Sequence, residues 1–534
     1  MPEHHHHHND APAPGEKLGQ VSFPTSCASR SQAAMERGVA LLHSFGYTIA
    51  QTQFEAIAND DPACAMAHWG IAMTQFPALW SHPDEAQTKR GEAEMAKARA
   101  LAAPPAKITP REQAYIDALS AFFDPAKTSF EERADAYETR MNALHAMFPE
   151  DVEGAAFDAL SMLASVPPGD TSLTHEHQAL AILVPLFASH PDHPGLAHYI
   201  IHTCDTPSLA PDGLAAAREY AKIAPSSPHA LHMPGHIFAR LGMWQEDIDS
   251  NLASMRASEK AQAAGEPGAA HQMHADEFLI YAYLQVGEDE KARLLTSRMA
   301  SIGQQMAAMP GMDDMKEVGP FFANELNAVY AVEMHDWKVA AALKPVAGTP
   351  PGQSFDTYWG QGIAAGHLRD AKLAADALAG LDRDGDTLKK LPYAALFANS
   401  LGIKRDELVA WQAFAEDHPE AAVTAMRKAA DQQDKLGQDE VDIPAREMLG
   451  DLLLLQHKPT EALAEYRVAL KLSPNRLNGL LSAGNAAEQA GLPDQARVFY
   501  RAAAVATHSG ANSARPELAH AVQVSGTAVA VKTE

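Results

Sequence analysis

A chain of 534 residues, 46% hydrophobic but only 7% aromatic, is long enough to bury a large core. Its alanine-rich composition, almost free of long Val/Ile/Thr alternation, favours helices over sheets. With 42 basic against 68 acidic residues the net charge is -26, a field that repels phosphate backbones and anionic lipid, so nucleic acid is excluded as an expected partner. No run approaches the roughly 18 to 20 apolar residues that span a bilayer, so membrane insertion is not expected either.

Residues 1–29 read as a disordered or extended tail. Its start, MPEHHHHHNDAPAPGEK, has no hydrophobic signal-peptide core. The run His4–His8 reads as a tag or a flexible metal-sequestering segment and is kept apart from the site. The chain is expected to be soluble, in the cytoplasm, or in the periplasm or outside the cell if a leader has been removed. Cys27, Cys64 and Cys204 are the only cysteines and form no CxxC pair, which excludes zinc knuckles and thioredoxin-type motifs. Cys27 and Cys64 stand near the starts of two successive repeat units. They are read either as a disulfide, implying an oxidising compartment, or as two small buried thiols.

From residue 30 to 345 a first helical array is expected, and from 346 to 508 a second, followed by a flexible C-terminal tail over 509–534. Near the C-terminus, REMLGDLLLLQHKPTEALAEYRVALKLSP is followed by LLSAGNAAEQAGLPDQARVFYRAAAVA. Gly450 and Gly484, Ala462 and Ala496, Tyr466 and Tyr500, and Ala469 and Ala503 are each separated by 34 residues. This resembles the tetratricopeptide repeat, a helix-turn-helix unit with small residues at helix contacts, closed here by Pro474. The N-terminal MERGVALLHSFGYTIAQTQFEAIANDDP offers Gly38, Ala50, Phe54 and Pro62 at matching offsets. AMERGVALLHSF, DPACAMAHWGIAM and HMPGHIFARLG also resemble a group of bacterial tetratricopeptide-repeat proteins over most of residues 20 to 345. The resemblance implies an all-α, right-handed α-α superhelix, degenerate in the middle, where loops such as AAGEPGAAHQ and MPGMDDMKEVGP intervene. It implies no chemistry.

In the family's pattern the first helix of each unit lines a concave groove, chiefly through unit positions 2, 5, 9, 12 and 13. With Gly242 and Trp244 as the turn in SSPHALHMPGHIFARLGMWQEDI, the unit starts at Pro228 and His229, His232 and His236 take positions 2, 5 and 9. His198 and His202 precede His232 and His236 by 34 residues, so two adjacent groove helices carry matching i, i+4 pairs. The next unit places His274, Glu277 and Tyr281 at positions 2, 5 and 9, and the following one Glu325 at position 5. Imidazoles at i, i+4 chelate a divalent metal, and a second pair from a facing helix completes the set.

The expected ligands are therefore His198, His202, His229, His232, His236, His274 and Glu277. Glu277 doubles as a general base on metal-bound water and Tyr281 as a hydrogen-bond donor. His43, His68, His175, His177, His190 and His193 are secondary. Cys204 is read as packed, and Met233 and Met273 as core filler.

Histidine and carboxylate without thiolate select copper, zinc or iron. There is no HExxH, GxSxG, GxxxxGK[ST] or GxGxxG after a strand. A metal-binding superhelix is expected, an enzyme of hydrolase or oxidoreductase type if a coordination position stays open. The alternatives are a metal-free scaffold gripping a peptide or small molecule in a histidine-lined groove, and a pH-responsive binder.

Overall fold

A computed structural model describes residues 15–79, 82–167, 169–264, 271–308, 315–391, 394–437, 439, 441–510, 512–513 and 515–526. The histidine run at 4–8 and most of the two middle loops lie outside these residues. Among the described residues the regular structure is helical throughout, with no strand. Successive helices pack against one another as hairpins, the all-α helical-repeat architecture that the 34-residue spacing predicts.

Local sequence explains where these helices begin and end. Asp84, Thr109 and Ser129 close capping boxes with Gln87, Glu112 and Glu132, each satisfying two otherwise orphaned backbone N–H groups. Proline occupies the first turn of Pro194–Thr203, Pro459–Leu472 and Pro493–Ala506, where its missing N–H costs nothing. Hairpins turn at residues with left-handed backbone, Gly242 and Gly287 among them at φ 63° and 72°, the conformation glycine adopts without a Cβ penalty. Both are the turns expected from the sequence.

The repeat grammar is visible as contacts. A Cβ at Gly450 would come within 2.6 Å of the Tyr466 ring, and one at Gly38 within 2.6 Å of the Phe54 ring; at Gly484 it would strike Tyr500. In each case the small residue of the first helix admits the aromatic ring of the second.

The contacts divide the chain into two units. The first holds everything described up to Asp205, with Leu209–Ile237; the second holds Thr206–Ser208 and everything described from Phe238 on. The sequence places a boundary at 345/346, but one apolar core runs from Ala239 through Trp359, Trp411 and Leu453 to Ala521. No break falls at 345 because the helices on either side share that core. The helix Pro516–Ser525 stands where a flexible tail is expected. Leu518 and Ala521 bury one face of it, and Arg515 at its start is held by Asp289 at 2.9 Å.

The first unit carries an irregular strap over residues 15–28 that laces its hairpins together. Lys17 and Ser226 exchange hydrogen bonds, the Lys17 amide to Ser226 Oγ at 2.8 Å and the Ser226 amide to the Lys17 carbonyl at 3.2 Å. Further along, the Gln20 amide donates to the Asp192 carbonyl, the Ser22 amide to Glu153, the Ser26 amide to Glu112 and the Ala28 amide to Asp61. Phe23 is fully buried against Trp69 and Tyr115. Cys27 and Cys64 form a disulfide that fixes the strap's end.

Candidate metal centre

In the first unit the helix Pro194–Thr203 starts on His193, whose Nδ1 accepts the Leu196 amide at 3.2 Å. It carries His198 and His202 one turn apart. Ser227 caps the short helix Pro228–His232, which stops at Met233 because Pro234 has no N–H to continue it and instead begins Pro234–Arg240. Met233 keeps helical dihedrals (φ -51°, ψ -35°), so His232 and His236 stay neighbours across the break, their rings edge to face at 4.8 Å.

Five histidines of this unit come together. His198 Nδ1 lies 2.5 Å from the backbone carbonyl of His43. A carbonyl only accepts, so Nδ1 carries the proton and the Nε2 lone pair faces outward. That Nε2 is 3.0 Å from His229 Nε2. His236 repeats the device: its Nδ1 is 2.8 Å from Asp205 Oδ2 and its Nε2 is 2.9 Å from His232 Nε2. The ligand atoms of His198, His202 and His229 all lie within 4.8 Å of one another.

Burial makes these lone pairs costly. His198, His229 and His232 are 0%, 2% and 1% exposed. Phe45 closes the cluster from one side, its ring 4.4 Å from His198, 5.4 Å from His202 and 5.7 Å from His229 between centroids. Burial first, then the neighbouring His202, hold the His198 imidazole well below its ordinary pKa, so it is neutral and a ready donor to a metal. Bonds of about 2.0–2.1 Å to a shared ion set neighbouring nitrogens about 3 Å apart. The spacing, the neutral state and the orientation of Nδ1 all fit an ion on the Nε2 face.

A second cluster in the unit, His43, Glu153 and His193, has the opposite character. Glu153 accepts from His43 Nε2 at 2.6 Å, His193 Nε2 at 3.1 Å and the Ser22 amide at 3.1 Å. Burial would raise its pKa, but the two histidines prevail and hold the carboxyl well below its usual range. Because His193 Nδ1 already accepts the Leu196 amide, its proton sits on Nε2, facing Glu153. A metal on that nitrogen would drive the proton against a backbone N–H, so this cluster holds protons and tethers the strap. Glu153 and His193 also line a cavity of about 850 Å³ beside the strap, with Arg111 and His190.

Of the remaining secondary histidines, His68 pairs with Glu94 at 2.6 Å, and His175 and His177 lie on the helix Thr174–Ser189. Cys204 is a buried free thiol, pushed up to about 12 by burial. Met233 is 1% exposed.

The other expected site residues belong to the second unit. There His274 Nδ1 meets Glu277 Oε2 at 2.9 Å, again a carboxylate orienting an imidazole. Burial, then Glu277, push Glu325 well above the usual carboxyl range. Tyr281 is 1% exposed, and its hydroxyl donates to the Asp442 carbonyl at 2.6 Å and accepts from Arg476. Arg476 in turn bridges Glu333 and Glu447 at 2.7 and 2.9 Å. That network explains the burial of all four side chains and leaves the Tyr281 hydroxyl committed. Met273 sits in the shared core.

Sequence reasoning missed Asp205, the His43 carbonyl and Phe45. Asp205 directly follows HTC in the chain and could have been noticed as a carboxylate just past the helix end. The carbonyl and the ring depend on tertiary approach, which Gly195 permits: a Cβ there would strike the His43 imidazole.

No protein-family model and no curated protein sequence match the chain. Among solved structures it is similar to the human IFIT1 dimer with PPP-AAAA, at 11% identity and TM-score 0.36 over 83% of this chain and 90% of that one. The P58(IPK) TPR domain aligns at 16% identity and TM-score 0.22, over 70% and 97%. The APC/C hetero-tetramer Cut9-Hcn1 aligns at 12% and 0.30, over 93% and 96%. At such scores nothing about ligand or partner passes from them to this chain. Among the described residues no helix is long and apolar enough to cross a membrane.

Proposed function

We propose that the first unit of this helical-repeat protein binds a transition metal ion through His198, His202 and His229, beside His232 and His236. The observation that carries this reading is the orientation of His198, whose Nδ1 proton is committed to the His43 carbonyl so that a buried lone pair faces His229 at 3.0 Å. Without an ion that contact needs His229 to donate its proton; with one, both nitrogens bind directly. The all-imidazole set, without thiolate, suits copper, zinc or iron. Bound there with an open position, such an ion would supply water activation or oxygen chemistry.

The reading assigns no role to Tyr281, committed to Asp442 and Arg476, or to Glu277, which orients His274. The Cys27–Cys64 disulfide supports an oxidising compartment, outside the cytoplasm.

The test is elemental analysis of the full chain carrying His4→Ser, His5→Ser, His6→Ser, His7→Ser and His8→Ser, which removes the competing run. A stoichiometric metal is expected, lost from or strongly weakened at this position in His198→Ala plus His229→Ala. Protein that folds normally and takes up no metal from zinc, copper or iron salts would overturn the reading and favour a histidine-lined scaffold for a peptide.

A further inference from the structure

We infer that the five histidines of the first unit hold two ions: a buried one on His198, His202 and His229, and a second on His232 and His236. This rests on the metal reading above and assigns its coordination as a two-ion centre with unlike positions.

The cluster contains the same geometry twice. His198 and His229 lie with ring centroids 4.8 Å apart and planes at 77°; His232 and His236 lie 4.8 Å apart at 77°. Their Nε2 atoms are 3.0 and 2.9 Å apart. In each pair one imidazole has its Nδ1 proton fixed by an oxygen, the His43 carbonyl at 2.5 Å or Asp205 at 2.8 Å. Each pair is thus independently prepared to donate from Nε2.

One ion does not gather both pairs. The ligand atoms of His198, His202 and His229 form one group within 4.8 Å of one another, and His232 and His236 stand outside that group. His202, with its ring 4.7 Å from His198, completes the first position.

The two positions differ in charge and access. The first is fully buried around His198. At the second, the Asp205 carboxylate offsets the charge of a dication, and the His236 and Asp205 side chains are 12% and 18% exposed.

Zinc is the probe. The full chain with the His4–His8 run replaced by serine is equilibrated with zinc chloride, freed of excess and analysed for zinc per chain. Two equivalents are expected, falling to one in His232→Ala plus His236→Ala and to one in His198→Ala plus His229→Ala. A single equivalent in the parent overturns the two-ion centre and leaves the metal reading standing; none overturns both. Two equivalents that survive either double variant overturn it as well. Asp205→Asn keeps every nitrogen ligand, and so covers the case in which a double variant does not fold. In chelator competition it is expected to weaken one of the two ions 10–100-fold and spare the other. Unchanged affinity for both overturns the assignment.

Discussion

Asp451 is a carboxyl made to titrate near neutrality: burial first, then the nearby Glu447, push it up to about 7, while the Tyr466 hydroxyl donates to it at 2.6 Å. Between its ordinary value of 3.8 and about 7 the folded chain keeps this proton and the unfolded chain has released it. The sign is therefore a stability that is complete at acid pH and falls as pH rises toward 7, each tenfold difference in proton affinity being worth about 1.4 kcal/mol. Asp451→Asn, which still accepts from Tyr466, is expected to flatten that slope and raise the melting temperature at pH 8. Thermal unfolding of both proteins from pH 5 to 8 measures it; parallel profiles would refute it. At this scale the sequence shows which side chains share a helix face and no more. His198, His202, His232 and His236 were legible through their spacing. The atom that fixes the tautomer of His198 was not, because it is a backbone carbonyl supplied by a helix 155 residues away.

Among elements, the glycine-to-aromatic contacts decide how closely each hairpin closes. Gly450→Ala would place a methyl group 2.6 Å from the Tyr466 ring, and Tyr466 is fully buried, so the ring has little room to yield. The expected cost is about 1–3 kcal/mol of overpacking, less the fraction of a kcal/mol to about 1 that alanine gains in a helix. Urea denaturation monitored by far-UV circular dichroism reads the balance, and a variant more stable than the parent would contradict this packing. These contacts were the most legible part of the fold, since a period of 34 residues repeats them in the sequence. The break at Pro234 was legible as a bend or a start, and the dihedrals of Met233 decide between them by keeping both histidines on one line. The helix Pro516–Ser525 escaped notice because its apolar face is short and its anchor, Arg515 on Asp289, is a contact between distant parts of the chain.

For the molecule as a whole, one apolar core passes through 345/346, because helical repeats bury their faces against neighbours and a change in repeat quality along the sequence does not interrupt it. The strap was equally hidden: residues 15–28 have no periodicity, and what orders them is a set of partners scattered from Asp61 to Ser226. The disulfide closes a separation of 37 residues, for which chain entropy gives up to about 4 kcal/mol. Cys27→Ser plus Cys64→Ser is expected to lower the stability of the first unit by up to that amount, read by chemical denaturation, and to broaden its transition.

The broadening follows from how repeats fold. A stack in which each hairpin touches only the next is a one-dimensional chain of local equilibria, free to unzip from an end. The strap adds ties that skip across several hairpins at once, so an opening at one end is felt at the other. The first unit then melts as a block, folds more slowly for its size because distant contacts must form first, and keeps its histidines registered until the whole block gives way. The second unit has long ties of its own, Trp244 to Asn475, Tyr281 to Arg476 and Arg515 to Asp289, and the same block-like melting is expected of it.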